Sequence, residues 1–404
     1  MKIAIVDADI VGRNKHRFPN LACMKLSAYY KKQGDSVELV TNYNLLTFFG
    51  LPEYDKIFIS KVFTDTTVED WVLNLPNVEY GGTGFFYDKA QPLPSEIEHI
   101  MPDYHLYDKW IETCISNGAN KEEFKYYTDY SIGFLTRGCF RQCEFCVNRN
   151  YKKCVTHSNI LEFYDKTRPK ICFLDDNFFA NPKWVEIIKE VKEIGKPFQF
   201  KQGLDERLLT DKHIHEISTW KYDGDFIFAF DNIEDKTLIE KKLKRIFELY
   251  PNWKKRMKFY VFCGFDRNNK WDEEFWINDI CTVFERAFIL AKYSATPYVM
   301  RFEEVYKNKY SGLYSAISAW CNQQSFFKKA TFREYCIVSG IDRKYYGKYK
   351  NNPQKYLEDG HKKGSTWKYL DEFAEKYPDI AKKYFNTAGD MLLEYGSGNK
   401  IKKE

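Results

Sequence analysis

Three cysteines stand in one short segment, Cys139-Phe-Arg-Gln-Cys143-Glu-Phe-Cys146, at a C-x3-C-x2-C spacing. Thiolates this close can bind three irons of a four-iron cubane and leave the fourth iron without a protein ligand. An iron with an open position is a place for chemistry, whereas a closed four-thiolate site is structural or carries electrons. The competing chemistry is a structural zinc completed by Cys154 or His157. Structural zinc sites usually present paired C-x2-C elements, and only one C-x2-C exists here. Gly138 lets the chain turn before the first cysteine. Arg137 and Arg141 bring positive charge and N–H groups, and hydrogen bonds to sulfur tune a cluster.

The elements that must position this segment follow from alternation of apolar runs with helical stripes. Residues 1–100 form a small α/β unit, with strands expected at Ile3–Val6, Val37–Val40, Lys56–Ser60 and Val78–Tyr80 and a helix over Leu21–Gln33. Strands alternating with helices imply a parallel sheet. A connector over 101–130 follows, introduced by Pro92, Pro94 and Pro102 and punctuated by Tyr104, Tyr107 and Trp110; such a segment is expected to wrap a surface. Alternation resumes at 131–302, with strands expected at Ser131–Leu135, Lys170–Leu174, Pro197–Lys201, Asp225–Phe230, Lys258–Phe262 and Pro297–Phe302. Helical stripes over Pro182–Ile194 and Lys236–Tyr250 separate some of them. The region 303–404 reads as helical, with stripes at Ser311–Cys321 and Thr331–Val338.

The cysteine segment, with the aromatic Phe145 immediately before its last cysteine, resembles the C-x3-C-x-aromatic-C signature of the radical S-adenosylmethionine (SAM) superfamily. The six βα units resemble that superfamily's partial (β/α)6 barrel, a TIM-like fold. Here a Rossmann-like α/β domain precedes it and a helical C-terminal region follows. The resemblance implies a [4Fe-4S] cluster on Cys139, Cys143 and Cys146, with SAM chelating the unique iron through its amino and carboxylate groups. It also implies reductive cleavage of SAM to a 5′-deoxyadenosyl radical, with an electron donor such as flavodoxin or ferredoxin. Phe145 would pack near the adenine. At the carboxyl ends of the strands, Asp175, Asp176 and Asn177 would meet the methionine amino group. Gln202 would meet the ribose or carboxylate, Arg207, oriented by Asp205, the SAM carboxylate, and Asp231 the ribose hydroxyls. Each has a plainer alternative: a helix N-cap for the first set, and a local salt bridge for Arg207. Gly264 would let the backbone approach the adenine; Cys263 would donate a hydrogen atom to a substrate radical, or more plainly stand as a buried spectator thiol; and Arg301 would bind an acidic group, or pair with Glu303, Glu304 or a tail carboxylate.

The order of the first pieces resembles the cobalamin-binding-like domain found before many such barrels. In that domain the loop after the first strand carries D-x-H-x-x-G with a cobalt-ligating His. Here the loop is Asp7-Ala-Asp9-Ile-Val-Gly12, and Asp9 stands where the His would be. The pair Gly81-Gly82 fits either close approach to a bulky ligand or an ordinary turn.

Composition bounds the rest. A net charge of +5 over 404 residues is too weak to indicate a nucleic-acid partner. The run Lys241-Lys242-Leu-Lys244-Arg245 and Lys254-Lys255-Arg256 reads as a solvated helix face, or more sharply as an RNA phosphate contact. No stretch reaches the roughly 18 apolar residues of a membrane span, and Met1–Asp7 reads as a strand, not a signal peptide. A cytoplasmic protein is expected, its 11 cysteines kept reduced. The substrate classes that stay open are a small molecule or peptide, a cobalamin-dependent methylation, and an RNA base. A zinc-stabilised interaction module without enzymatic activity is the alternative of a different class.

Overall fold

Ile3, Ala4, Ile5 and Val6 are each fully buried, as consecutive residues must be in a strand covered on both faces. They lie in β1, Lys2–Asp7. The structure, a computed structural model, describes residues 1–13 and 15–396. The helix α1, Leu21–Lys32, starts at Asn20, whose side chain accepts the N–H groups of Ala22 and Cys23. Strands β2 (Ser36–Leu39), β3 (Lys56–Ser60) and β4 (Val78–Gly81) complete a four-stranded sheet. Its order is β2-β1-β3-β4, and every pair is parallel.

The connector does not wrap a surface. Tyr104, Leu106, Tyr107 and Ile111 pack into the same core as Ile3, Ile5 and Met24, and Asp108–Ser116 forms a helix, α2. The prolines break the chain locally, but the aromatic rings between them carry enough apolar area to be drawn inward. Their hydroxyls then need partners. The Tyr107 hydroxyl donates to Asp7 (2.8 Å) and accepts the Asn20 N–H (3.1 Å). The Tyr104 hydroxyl donates to the Phe163 carbonyl (2.6 Å) and accepts the Ile132 N–H (2.8 Å).

Beyond the connector come β5 (Tyr130–Gly133), the two-residue strands β6 (Thr136–Arg137) and β7 (Val155–Thr156), β8 (Lys170–Phe173), the helix α3 (Trp184–Ile194) and β9 (Phe198–Phe200). The strands β9-β8-β5 make a parallel sheet, and β6 and β7 pair antiparallel. Gly195 ends α3 at φ +73°, a left-handed position suited to glycine. All of this belongs to one compact unit, Met1–Gln202 with Trp220–Asp223, so the expected boundaries near 100 and 130 fall inside it.

The second unit comprises Gly203–Thr219 and the described chain from Gly224 onward. It holds α4 (Asp211–Thr219), β10 (Phe226–Ala229), α5 (Lys236–Leu249), β11 (Met257–Cys263), α6 (Glu273–Lys292) and β12 (Thr296–Arg301). Its sheet order is β10-β11-β12, again parallel. The six expected strands are therefore present as two parallel sheets of three, one in each unit. The region after 302 is helical where it is described, and residues 397–404 lie outside the described residues. Its helix α7, Ser311–Asn322, closes the free edge of β12: the Asn322 side chain accepts the Val299 N–H (2.6 Å) and donates to its carbonyl (3.2 Å).

Asp7 gives this fold a pH signature. Burial raises its carboxyl to about 7, against the stabilising hydrogen bond from Tyr107. A carboxyl whose native pKa lies above its unfolded value keeps a proton longest in the native state. Stability then falls as pH rises from the ordinary carboxyl range to about 7. Asp7→Asn should flatten part of the fall in urea midpoint between about pH 4 and pH 7. An unchanged slope would show that Asp7 is not the group responsible.

Candidate metal centre

Asp175 follows β8 and is completely buried. Its carboxylate accepts the N–H of Leu135 (3.0 Å) and both the N–H and hydroxyl of Thr136 (2.6 Å each). Burial raises its pKa to about 7 even so. Its neighbour Asp176 accepts the Gly138 N–H and the Asn148 side-chain amide, both at 2.7 Å. Two adjacent carboxylates from one strand end thus hold both limbs of the cysteine loop. The β6–β7 ladder closes the loop at its base. Gly138 sits at φ +92°, and a Cβ there would come within 2.6 Å of the Lys153 carbonyl oxygen, so both the turn and the close approach require glycine.

A second brace comes from the segment after β4. The Tyr87 hydroxyl donates to the Phe145 carbonyl (2.5 Å), and Asp88 takes the Arg149 guanidinium (2.7 Å) and the Asn150 amide (3.0 and 3.1 Å). Inside the loop, the Cys146 N–H donates to the Cys143 carbonyl (2.9 Å). Backbone and side-chain N–H groups also aim at sulfur. Arg141 N–H and the Asn177 amide donate to Cys139 Sγ at 3.4 and 3.3 Å, and Asn148 N–H donates to Cys146 Sγ at 3.4 Å. All three cysteines are partly exposed. Burial raises the Cys146 thiol, with Asn148 N–H opposing.

Three cysteine thiols in one loop, with N–H groups aimed at two of the sulfurs, are the donor type that a three-thiolate cluster site uses. Among the described residues, no group of three or more Cys, His, Asp or Glu side chains converges to hold a single ion. The residues expected to complete a zinc site are engaged elsewhere. Cys154 is buried beside Thr136 and Asn181, with its thiol pushed up to about 11. His157 lies against Glu98 (3.4 Å) and Ser158 (2.9 Å).

The remaining expected site residues fall as follows. Asp175 and Asp176 accept hydrogen bonds from the loop, and those bonds position the cysteine segment. Neither is a helix N-cap; α3 starts at Trp184. Asn177 is buried against Cys139. Gln202 is exposed beyond β9. In the second unit, Arg207 donates to Asp205 (2.8 Å) and Asp235 (3.1 Å), the local salt-bridge arrangement, and Asp205 does orient it. Glu206 beside it is buried, with its carboxyl raised to about 8 by burial. Asp231 accepts the Phe262 N–H (3.2 Å).

The other residues singled out in the sequence lie as follows. The close approach at Gly264 is to Val305, whose Cγ2 would lie 2.1 Å from a Cβ there. Cys263 is buried and donates to the Met300 carbonyl (3.3 Å). Arg301 donates to the Ser315 hydroxyl (2.6 Å) and lies over Tyr306. At the start of the chain, Asp7–Gly12 is no open ligand loop, since Ala8–Gly12 is helical. Asp9 is buried and accepts from Val62 N–H (2.7 Å), Phe63 N–H (3.4 Å) and the Thr66 hydroxyl (2.5 Å). Gly82 approaches the Lys61 carbonyl, 2.3 Å from where its Cβ would be. These residues do not fit cobalt ligation. Four of the seven residues in the basic runs are engaged within the chain: Arg245 pairs with Asp211 and Glu248, Arg256 with Asp225, and Lys242 and Lys255 donate to the carbonyls of Leu209 and Ile217, while Lys241, Lys244 and Lys254 are exposed.

Arg286 escaped the sequence reading. It is buried and donates to the carbonyls of Phe230 (2.9 Å), Asp231 (2.8 Å) and Phe262 (2.8 Å), tying together the ends of β10 and β11. The signal was present: an arginine interrupts the apolar face made by Val283, Phe284, Ala287 and Leu290.

No protein-family model matches this sequence, and no curated protein matches it. No helix among the described residues is long and apolar enough to cross a membrane.

The brace is testable. Asp175→Ala leaves three buried donors without an acceptor and should cost about 3 kcal/mol. Urea denaturation measures that loss, and hydrogen exchange at Leu135 and Thr136 should speed up with it. Stability and exchange equal to wild type would show that the loop holds itself.

Proposed function

We propose that this protein is a radical SAM enzyme. The observation that carries the reading is the braced loop: three thiols at C-x3-C-x2-C spacing, with N–H groups donating to two of the sulfurs. Cys139, Cys143 and Cys146 would hold three irons of a [4Fe-4S] cluster, leaving one for SAM. When bound, the group would supply one-electron reductive cleavage of SAM for hydrogen abstraction from a substrate, with methionine and 5′-deoxyadenosine as the products of SAM. The electron enters from an external donor of the flavodoxin or ferredoxin class.

The chain's own residues do the positioning. Asp175 and Asp176 fix the loop, and the Asn177 amide, with the N–H groups of Arg141 and Asn148, offsets negative charge on sulfur. Within the first unit, Gln202 is the exposed polar group at a strand end that this reading assigns to SAM. The six parallel strands and their helices support the partial (β/α)6 barrel over 131–302 as part of the same reading. A small molecule or peptide is the substrate class this reading favours over RNA, since four of the seven residues in the basic runs are engaged within the chain.

Anaerobic reconstitution of wild type should give a brown protein that bleaches with dithionite and forms 5′-deoxyadenosine from SAM. Cys143→Ala should lose both properties. A colourless, zinc-containing wild-type protein, or a variant that still makes 5′-deoxyadenosine at the wild-type rate, would overturn the assignment.

A further inference from the structure

The first unit contains a cavity of about 570 Å3, within the range of small-molecule sites. It is walled by α1, by β3 and β4 at their carboxyl ends, and by the cysteine loop at Val147 and Asn148. Leu26, Phe58 and Ile97 make its floor apolar, which suits a flat or aliphatic body. Gly81 opens onto it: a Cβ there would meet nothing within 4 Å.

Its lining carries three cations and three carboxylates, and Arg149 from outside the lining pairs with one of the carboxylates. Each lining carboxylate already has a cation: Glu98 has Lys25 (2.8 Å), Glu79 has Lys56 (3.8 Å) and Asp88 has Arg149 (2.7 Å). Lys25 is further satisfied by the Glu98 carbonyl (2.5 Å). One cation is left over. Arg137 lines the cavity half-buried, its guanidinium stacked on Phe134 at 4.0 Å, with no hydrogen-bond or ion-pair partner among the described residues. A planar fork of N–H donors, held flat by a ring and facing an apolar chamber, is arranged to take a carboxylate or similar planar anion.

We infer that this cavity binds a small organic anion with an aromatic body, its charged end on Arg137 and its ring over the floor at Phe58. Because Arg137 stands two residues before Cys139, the ligand's charged end is presented beside the cysteine loop. The inference needs neither iron nor SAM, so it stands or falls apart from the proposed chemistry.

Isothermal titration calorimetry on the full-length protein tests it, with benzoate, indole-3-acetate and naphthalene-1-acetate each compared with its neutral amide. At least one acid should bind about tenfold more tightly than its amide. Arg137→Gln should erase that preference, and Arg137→Lys should keep part of it. Gly81→Phe, placed where there is open space, should abolish binding of acid and amide alike while circular dichroism and melting temperature stay unchanged. No binding by any acid at about millimolar concentration would overturn the proposal. So would an acid preference that survives Arg137→Gln, or binding untouched by a folded Gly81→Phe variant. Since the assay reads binding alone, its failure leaves the radical SAM reading intact, and a chain that holds no cluster can still pass it.

Discussion

The carboxylate of Asp175 is the constraint on which the candidate site depends. It is buried away from water and satisfied by three donors, all from Leu135 and Thr136. A buried carboxylate is expensive to leave unpaired, so its partners are held as firmly as it is. Those partners open the cysteine loop. Asp176 extends the same grip to Gly138 at one end and Asn148 at the other. The loop is thereby fixed by the chain's own hydrogen bonds, and the N–H groups on Cys139 and Cys146 are set in place with it. Preorganisation of this kind lowers the ordering cost of binding a cluster.

The connector has a comparable part in the first unit. Tyr104 joins the connector to β5 and to the Phe163 carbonyl, while Tyr107 joins it to Asp7 at the end of β1 and to the start of α1. Both hydroxyls are buried and both are satisfied, so neither ring can withdraw without exposing polar groups to an apolar interior. The N-terminal sheet, the connector and the sheet carrying the cysteine loop therefore make one compact unit. Tyr87 and Asp88, which follow the N-terminal sheet, brace the same loop from its other side.

Much of this was legible in the sequence. The ten expected strands appear within about two residues of their expected bounds, because runs such as Ile3–Val6 and Ile57–Ile59 are buried on both faces and leave no periodic ambiguity. Gly138 was legible as a turn and proved to sit at positive φ. What could not be read depends on contacts far apart in sequence. An aspartate at a strand end looks the same whether it awaits a ligand or binds backbone 40 residues earlier, as Asp175 does. The strands β6 and β7 are two residues each, too short to carry a pattern. Proline in the connector suggested a surface path, yet the apolar area of Tyr104, Tyr107 and Ile111 outweighed it. Gly264 was read as room for a ligand and serves Val305 instead.

The central claim is that three thiolates of this loop hold a four-iron cluster with one iron left for SAM. Electron paramagnetic resonance of the anaerobically reconstituted, dithionite-reduced protein tests it most directly. The account predicts the spin-half signal of a reduced [4Fe-4S] cluster, with g values that shift when SAM is added. A signal unmoved by saturating SAM, or no iron–sulfur signal after reconstitution, would contradict it.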